Sequence, residues 1–387
     1  MPSEIELSIV MPCLNEADTL GVCLDKAFKS LATLGVVGEV IVADNGSSDE
    51  SIQIALGKGA RVVEVAEKGY GVALMSGIEA AKGRYVLMGD ADDSYDFGSI
   101  GSFIEKLREG HDLVMGCRLP AGGGRVLPGA MPRLHRWIGN PMFTWLVRWW
   151  FKAEIHDVYC GLRGFTKALY QDLNLRSCGM EFATEMVIKS SLCGARVTET
   201  PITLHPDGRR HTTPHLRTFR DGWRTLRFFL VYSPRRLFLY PSLCLVLFGL
   251  LGYGIAMPAL SIGPATFDVH TLLFASLALI LGMQTFYIAI FAKYFAVTEG
   301  LHPPDQRILR FGQTPVLNRG LLVGVISVFL GLALLGEAVW GWYRLGFGHL
   351  EYATTLRQVI PGVTLTALGF QTVSASFFLG VLGLKRR

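Results

Sequence analysis

The chain has 387 residues, a net charge of +5 and a mean hydropathy of +0.35, and 50% of its residues are hydrophobic. This composition is too apolar for an ordinary soluble protein, and the length leaves room for two domains. The modest positive charge is concentrated beside the apolar segments, which argues against nucleic acid as a partner and favours anionic lipid or phosphate.

The seven cysteines form no Cys-x-x-Cys pair and no array with histidine at the spacing of a metal site. Reduced thiols in a cytosolic compartment are therefore expected. The first residues also lack the basic stretch followed by an apolar run that marks a signal peptide. We expect the first domain to remain on the side of the membrane where it is synthesised.

The first part of the chain, residues 1–215, alternates apolar strands with helices. Predicted strands cover 7–11, 40–43, 61–65, the run leading into Asp90, and 113–117; predicted helices cover 20–31, 51–56, 72–81 and 100–108. This alternation predicts a mostly parallel sheet with helices on both faces. The expected fold of this part is therefore an α/β, Rossmann-like head domain.

Two segments combine aromatic and basic residues in the manner of membrane-interface helices. They cover residues 131–152 and 216–236, and together they hold five of the seven tryptophans. Amphipathic rings with basic neighbours prefer the headgroup layer, so we expect both segments in the cytoplasmic interface, where they keep the active site close to the bilayer. The alternative is a helix pair buried in the head, with its arginines in solvent.

Four later runs are each long and apolar enough to cross a bilayer. They cover 237–257, 271–292, 321–343 and 359–382, in an all-α membrane domain of residues 237–387. Basic residues lie before the first run, between the second and third, and at the C-terminus; Arg344 and Arg357 flank the last loop, and 258–270 contains none. The positive-inside rule predicts a multi-pass protein of the cytoplasmic (inner) membrane with both termini in the cytoplasm. Gly320-x-x-x-Gly324 predicts close helix packing.

A cluster of carboxylates follows the fourth predicted strand. The apolar run from Tyr85 ends in Gly89-Asp90-Ala91-Asp92, so that two carboxylates flank one alanine. Like charges this close raise one another's pKa unless a cation lies between them, and hard divalent ions prefer oxygen ligands. Open α/β sheets bind ligands at the carboxyl ends of their strands, so we predict that Asp90 and Asp92 hold Mg²⁺ or Mn²⁺. A solvated acidic turn is the alternative.

Four motifs occur in a consistent order along roughly the first 210 residues. They are Met11-Pro12-Cys13-Leu14-Asn15-Glu16, Val42-Ala43-Asp44-Asn45-Gly46-Ser47-Ser48-Asp49, Lys68-Gly69-Tyr70-Gly71 and Gly89-Asp90-Ala91-Asp92. Together they resemble family 2 glycosyltransferases of the GT-A fold, and within that family the polyprenyl-phosphate (dolichol-phosphate) hexose synthases. The resemblance implies an inverting, metal-dependent transfer of a hexose from a nucleotide sugar to polyprenyl phosphate (dolichyl or undecaprenyl phosphate) at the cytoplasmic membrane face.

The resemblance also implies the partners of the reaction. UDP-glucose is the first choice as donor and GDP-mannose the second, because the residues do not identify the sugar. Polyprenyl phosphate is the expected acceptor, and the lipid bilayer surrounds the second domain. Related membrane synthases favour a homo-oligomer.

The family pattern assigns donor-binding roles to residues in each motif. The residues expected to bind the nucleotide sugar are Pro12, Asn15, Glu16, Asp44, Lys68, Gly71, Asp90 and Arg209, of which the first four line the nucleoside pocket. For Asn15 and Glu16, capping of the following helix is an alternative that can coexist with donor binding. Asp92 is expected as the more direct metal ligand and as a catalytic group. Ser94 stands where related synthases often carry Gln, so water would complete the metal's ligand shell.

The acceptor determines what catalysis requires. A lipid monophosphate has a second pKa of about 6 and is already an oxyanion at neutral pH, so a strong general base is optional. Cations must then bind the phosphates, and the arginines expected to do so are Arg118, Arg163, Arg209 and Arg210, with Arg118 also in a catalytic role. Asp157 matches a family position near the acceptor, where it would orient an arginine or act as the nominal base. Ordinary surface arginines and a structural salt bridge are the alternatives.

Two other functions fit parts of the pattern. A processive polysaccharide synthase also joins a GT-A head to membrane helices, but the chain contains no Gln-x-x-Arg-Trp motif. A non-catalytic lipid-handling or transport protein would use the four spans and keep the head as a degenerate sensor. The intact donor and metal motifs argue against that second alternative.

Overall fold

The computed structural model describes residues 5–209 and 218–384. The chain divides into two compact units, Met1–Phe229 and Leu230–Arg387. The strands are β1 Leu7–Cys13, β2 Gly38–Asp44, β3 Arg61–Glu64, β4 Tyr85–Met88, β5 Leu113–Cys117, β6 Arg125–Val126, β7 Arg163–Thr166, β8 Val197–Pro201, β9 Thr203–Leu204, β10 Ser261–Ile262 and β11 Ala265–Thr266. The α-helices are α1 Leu20–Thr33, α2 Ser51–Gly57, α3 Tyr70–Ala80, α4 Gly101–Arg108, α5 Asn140–Phe151, α6 Lys167–Leu173, α7 Glu181–Leu192, α8 Thr218–Val231, α9 Tyr240–Ala256, α10 Val269–Thr298, α11 Gln306–Leu309, α12 Thr314–Arg344 and α13 Tyr352–Leu382.

The first unit is built on a sheet that has seven strands within the described residues. Their order is β3-β2-β1-β4-β7-β5-β8, and β7 runs antiparallel to its neighbours β4 and β5 while the other pairs are parallel. Strand β1 is almost entirely buried and β4 entirely so. Continuous apolar strands of this kind are typical of a sheet covered by helices on both faces. The predicted α/β head with a mostly parallel sheet is confirmed.

The register of the central strands brings three chain segments to one edge of the sheet. Cys13 at the end of β1 pairs with Asp44 at the end of β2, and Val10 of β1 pairs with Met88 at the end of β4. The loops that follow these strands therefore leave the sheet side by side. In open α/β sheets this is the edge at which ligands bind.

The antiparallel strand β7 was not among the predicted strands. Its four residues begin with Arg163, which is fully buried between β4 and β5. A buried arginine interrupts the apolar run by which a central strand is recognised, so the hydrophobic pattern gave no signal for β7.

Helix α5, inside the first predicted interface segment, has one buried and one exposed face. Phe143, Val147 and Phe151 are buried, and Phe229 of α8 packs edge-on against Phe143 with ring centroids 5.9 Å apart. The opposite face of α5 exposes Met142, Trp145 and Trp149, and the turns just before the helix expose Leu134, Trp137 and Ile138. The inner face thus belongs to the head, as the buried-pair alternative requires, while the outer face leaves an aromatic surface uncovered.

The second unit contains four helices that are long and apolar enough to cross a membrane, counted over the described residues. They are Arg235–Ala256, Val269–Thr298, Thr314–Arg344 and Tyr352–Leu382. Each contains one of the predicted runs nearly whole, so the four predicted spans are confirmed at the level of length and composition. All seven cysteines are free.

Glycines allow α12 and α13 to approach backbone to backbone. A Cβ added at Gly324 would lie 2.9 Å from the carbonyl oxygen of Gly369, and one added at Gly331 would lie 2.7 Å from that of Gly362. Small residues at such contacts are the usual means of close helix association in lipid. The close packing predicted from Gly320 and Gly324 is thereby confirmed. It continues along the α12–α13 contact to Gly331, about two helical turns further.

We predict that Gly331→Leu destabilises the second unit, because the added side chain must separate two helix backbones. Overpacking of this kind costs about 1–3 kcal/mol. The melting temperature of the detergent-solubilised full-length protein should fall. Gly336→Leu is the matched control, because no described atom lies within 4 Å of a Cβ at that position on the same helix. An equal loss of stability in both variants would contradict the packing.

Candidate functional site

Asp44, at the end of β2, organises the loop that follows it. Its Oδ2 accepts hydrogen bonds from the main-chain N–H groups of Gly46 (2.9 Å) and Ser47 (3.0 Å), and the side chain is buried. A carboxylate that accepts main-chain N–H groups in this way fixes the turn. Asp44 therefore lies at the strand-end edge, where the nucleoside pocket was predicted. One of its carboxylate oxygens already accepts hydrogen bonds from its own loop.

The loop after β1 is bound to the loop after β2. Asn15 has a left-handed backbone (φ 57°), a conformation that Asn adopts more readily than most residues. Its side-chain oxygen accepts from the Ser48 N–H at 2.8 Å, and its own N–H donates to Ser47 Oγ at 2.9 Å. The Glu16 N–H donates to Ser51 Oγ at 2.9 Å. These contacts hold Glu16 in a fixed position over the strand ends.

The Lys68–Gly71 motif is held by the β2 loop on one side. Lys68 Nζ donates to the carbonyl oxygen of Asn45 at 2.6 Å, and the Gly69 N–H donates to Asn45 Oδ1 at 2.7 Å. A Cβ at Gly71 would lie only 2.2 Å from the carbonyl oxygen of Ser177, so glycine is required there by the neighbouring backbone. Close chain packing thus explains Gly71 without a donor molecule.

Glu185 of α7 explains why the 176–177 backbone is held so close to Gly71. Its Oε2 accepts from the N–H groups of Arg176 (3.0 Å) and Ser177 (2.8 Å), and Lys189 pairs with its Oε1 at 2.9 Å. The carboxylate is fully buried. Glu181, one turn earlier, pairs instead with Arg224 of α8. Glu181 therefore holds an arginine of α8, whereas Glu185 holds the 176–177 backbone.

Asp90 and Asp92 lie at the end of β4, and each already has a hydrogen-bond donor. Tyr70 Oη donates to Asp90 Oδ1 at 2.8 Å, and Ser94 Oγ donates to Asp92 Oδ1 at 2.6 Å. Arg209 lies between two of the loops: its Nε donates to Glu16 Oε2 at 2.9 Å and its Nη2 to Asp92 Oδ2 at 3.3 Å. The loops after β1 and β4 and the 205–209 segment thus converge on one small acidic centre, which consists of Glu16, Asp90 and Asp92.

The electrostatics of this centre show that its negative charge is not fully compensated. Burial raises the pKa of Glu16 to about 7, against the opposing attraction of Arg209. Burial, and then the adjacent charge of Asp92, raise the pKa of Asp90 to about 6. Carboxyl groups with raised pKa values at a strand-end edge are typical of functional sites. A further cation here would relieve the repulsion.

The donor set of this centre fits a hard divalent ion. Asp90 and Asp92 offer carboxylate oxygens, and Mg²⁺ commonly binds through one or two carboxylates together with substrate phosphates and water. Among the described residues no group of three or more His, Cys, Asp or Glu side chains is arranged to hold a metal. The protein would therefore supply two ligands at this position, and the remaining ones would come from elsewhere. Ser94 caps Asp92 and leaves the third position to water or phosphate.

Arg118 and Asp157 form a buried, bidentate ion pair beside this centre. Arg118 Nε and Nη2 donate to the Asp157 carboxylate at 2.7 and 2.8 Å, and the Arg118 N–H donates to it at 3.0 Å. Burial alone would raise the pKa of Asp157, but the Arg118 guanidinium holds it below its usual range. Arg118 Nη1 faces Tyr95 Oη at 3.5 Å. This ion pair is the contact that both the predicted arginine-orienting role of Asp157 and the salt-bridge alternative require.

Glu199 of β8 holds the loop that carries Asp157, and the sequence analysis missed it. Its Oε1 accepts from the N–H groups of His156 (2.7 Å) and Asp157 (3.0 Å), and its Oε2 contacts His156 Nδ1 at 2.8 Å. Tyr70 was also missed as the partner of Asp90. For Tyr70, its place in the Lys68–Gly71 motif was the one available signal. For Glu199 there was none, because nothing in the local sequence connects it with a loop 42 residues away.

Arg163, another predicted phosphate ligand, has its guanidinium away from this centre. Arg163 is fully buried, and its guanidinium donates to the carbonyl oxygens of Cys160 (2.7 Å), Val158 (2.9 Å) and Ala183. This burial argues against the predicted phosphate contact and gives Arg163 a structural role in the 158–161 loop. Arg210 lies outside the described residues. Pro12 lies within β1, opposite Ala43 of β2.

Comparison with known proteins agrees with this organisation. Residues 8–173 match the family model described as "Glycosyl transferase family 2", and residues 290–383 match "Glycosyltransferase family 2 C-terminal transmembrane region". Over 380 residues the chain is 35% identical to the low-salt glycan biosynthesis hexosyltransferase of Haloferax volcanii. The match covers 97% of this chain and 89% of that protein. The chain belongs to glycosyltransferase family 2.

This family 2 glycosyltransferase has further relatives. It is 31% identical over 201 residues to the dolichyl-phosphate hexose transferase of Haloferax volcanii, covering 51% of this chain and 82% of that protein. A crystal structure of glucosyl-3-phosphoglycerate synthase from Mycobacterium tuberculosis matches 54% of this chain and 73% of its own, with 20% identity and a TM-score of 0.43. The last likeness is too distant to support an argument about function. The protein is a membrane glycosyltransferase with a GT-A-like first unit.

We predict that Asp157→Ala destabilises the first unit strongly, because it leaves the buried Arg118 charge without its partner. Breaking a buried pair costs about 3–5 kcal/mol, which corresponds to a fall of roughly 10 °C in melting temperature for a unit of this size. Scanning fluorimetry of the full-length protein measures it. Asp25→Ala is the control, because Asp25 pairs with Lys58 on the surface. A comparable fall in that variant would refute the special role of the buried pair.

Proposed function

We propose that this glycosyltransferase transfers a hexose from a nucleotide sugar to polyprenyl phosphate at the cytoplasmic membrane face, with inversion at the anomeric carbon and with Mg²⁺ or Mn²⁺ at Asp90 and Asp92. The observation that carries the proposal is the convergence of Glu16, Asp92 and Arg209 at the carboxyl edge of the sheet, beside Asp90. The name of the relative that transfers hexose to dolichyl phosphate supports the choice of acceptor.

On the donor side, the proposal uses the loops after β1, β2 and β4. Asp44 and Glu16 line the nucleoside pocket together with Asn15 and Pro12, and Lys68 and Gly71 lie at the donor's phosphates. When bound, the divalent ion neutralises the charge that builds on the departing nucleoside diphosphate. Arg209 would add positive charge to the same developing anion, since its guanidinium is already oriented by two carboxylates at 2.9 and 3.3 Å.

On the acceptor side, the phosphate itself is the nucleophile. A lipid monophosphate carries roughly −1.5 to −2 charge at pH 7, so no side chain has to remove a proton before attack. Asp157 then has no need to act as a base, and its geometry supports the orienting role: both of its oxygens bind Arg118. Arg118 Nη1, which contacts Tyr95 Oη at 3.5 Å and not Asp157, is the atom that we assign to the acceptor phosphate. Arg210 remains a second candidate for that phosphate.

The outer face of α5 gives the head a means of working next to the bilayer. Trp145 and Trp149 on this face are 57% and 54% exposed and stack with centroids 5.2 Å apart, and Trp137, in the turn just before α5, is 68% exposed. Aromatic rings with basic neighbours prefer the headgroup layer, so we place this face in the cytoplasmic interface, with both termini on that side. UDP-glucose is the first choice of donor and GDP-mannose the second, and the resemblance to related membrane synthases is the basis for proposing a homo-oligomer.

Purified full-length protein, supplied with a nucleotide sugar, Mg²⁺ or Mn²⁺ and a short polyprenyl phosphate, should form one glycolipid and release nucleoside diphosphate. Asp92→Asn should reduce the rate by about 100-fold or more, because removal of one group that stabilises transition-state charge has effects of that size. Chromatography of radiolabelled glycolipid measures the rate.

Asp93→Asn is the matched control for that experiment. Asp93 is the next carboxylate along the chain but pairs with Lys26 at 2.7 Å, and its left-handed backbone (φ 58°) suits Asn. This variant should keep activity close to wild type. Equal activities of Asp92→Asn and wild type would refute the metal assignment, whereas a polymeric product would favour a processive synthase.

A further inference from the structure

A cavity in the second unit carries an excess of positive charge. Its volume is 590 Å³, and its charged lining consists of Lys293, Arg307 and Arg310 with a single carboxylate, Asp305. It lies between the end of α10 and the short helix α11 and is formed entirely by residues of the second unit. The reaction proposed for the first unit does not use it.

The lysine of this cavity is held in position. Lys293 Nζ lies 2.9 Å from Nδ1 of His302, and the His302 ring stacks on Tyr232 at a centroid distance of 6.4 Å. His302 is 8% exposed. A buried histidine stacked on an aromatic ring has little freedom, so the amine that it contacts is also restrained. Such restraint reduces the entropic cost of ordering this side chain when a ligand binds.

The cations are not neutralised by their surroundings. Arg307 and Arg310 are exposed, and within the part of the chain that the structure describes their side chains make no ion pair or hydrogen bond. Asp305 Oδ1 accepts from the Arg307 N–H at 3.0 Å and so caps α11. A backbone hydrogen bond leaves the charge of Asp305 in place, so the three cations and this one carboxylate give the lining a net charge of +2 (3 − 1).

The position of Lys293 along α10 indicates how far the cavity lies from the end of the membrane helix. It lies five residues before the end of α10, a rise of about 7.5 Å from the helix terminus. Lysines near the ends of membrane helices direct their amines toward the interface, where lipid phosphates lie. The same loop, between the second and third spans, carries the other two cations. The cavity thus faces the headgroup layer.

We propose that this cavity binds the phosphate of an anionic membrane lipid. A net charge of +2 matches a phosphomonoester headgroup, which carries close to two negative charges, better than a phosphodiester, which carries one. The acyl or isoprenoid chains would follow the apolar surface of α10. The proposal does not rest on hexosyl transfer and can be tested by binding alone.

The test titrates full-length protein in detergent with phosphatidic acid, phosphatidylglycerol and phosphatidylcholine, and native mass spectrometry counts the bound lipid. Phosphatidic acid should bind most tightly and phosphatidylcholine least. The double variant Arg307→Gln, Arg310→Gln should weaken binding of phosphatidic acid by about 30-fold, the effect expected from two basic residues at a lipid surface.

The matched control is the double variant Arg319→Gln, Arg344→Gln, which removes the same charge from exposed positions of α12 that do not line the cavity. It should retain wild-type binding. Equal weakening in both double variants, or none in the cavity variant, would overturn the proposal. Wild-type protein supplies a second measurement: phosphatidic acid should raise its melting temperature, and inorganic phosphate alone should not. Equal stabilisation by both would assign the cavity to free phosphate and also overturn it.

Discussion

The contact of Arg209 with Glu16 and Asp92 is the interaction on which the candidate site depends. The loops after β1 and β4 bring Glu16, Asp90 and Asp92 together at one edge of the sheet, and the raised pKa values of Glu16 and Asp90 show that burying these carboxylates is costly. One guanidinium offsets part of that cost and fastens the 205–209 segment over the strand ends. The remaining unfavourable charge is what a bound divalent ion and a donor would relieve.

Most residues of the four motifs have a structural task as well as a proposed chemical one. Asp44 fixes its own turn, Asn15 joins the first two loops, and Gly71 gives room to the 177–179 backbone. Residues that build the loops also present groups to the ligand, so the loops are rigid before the donor arrives. Prior rigidity of this kind lowers the entropic cost of binding and supports catalysis by fixed charges.

The sequence predicted what depends on local pattern. Alternating apolar runs gave the α/β head, long apolar runs gave the four helices, and the strand-end carboxylates gave the acidic centre. The pattern could not tell Arg118 from Arg163, because the environments of both side chains arise from distant chain segments: Arg118 follows β5, whereas Arg163 begins the unpredicted strand β7. Arg163 is buried among main-chain carbonyls. The role of Glu199 was not predicted for the same reason, since it contacts a loop 42 residues away.

The central claim is that a divalent ion joins the donor's diphosphate to Asp90 and Asp92. Pulsed electron paramagnetic resonance of Mn²⁺ bound to the full-length protein, with the nucleotide sugar that supports turnover, tests it most directly. The account predicts hyperfine coupling from Mn²⁺ to diphosphate phosphorus that is lost in Asp92→Asn and kept in Asp93→Asn. Turnover by a protein without bound metal, or unchanged phosphorus coupling in Asp92→Asn, would contradict it.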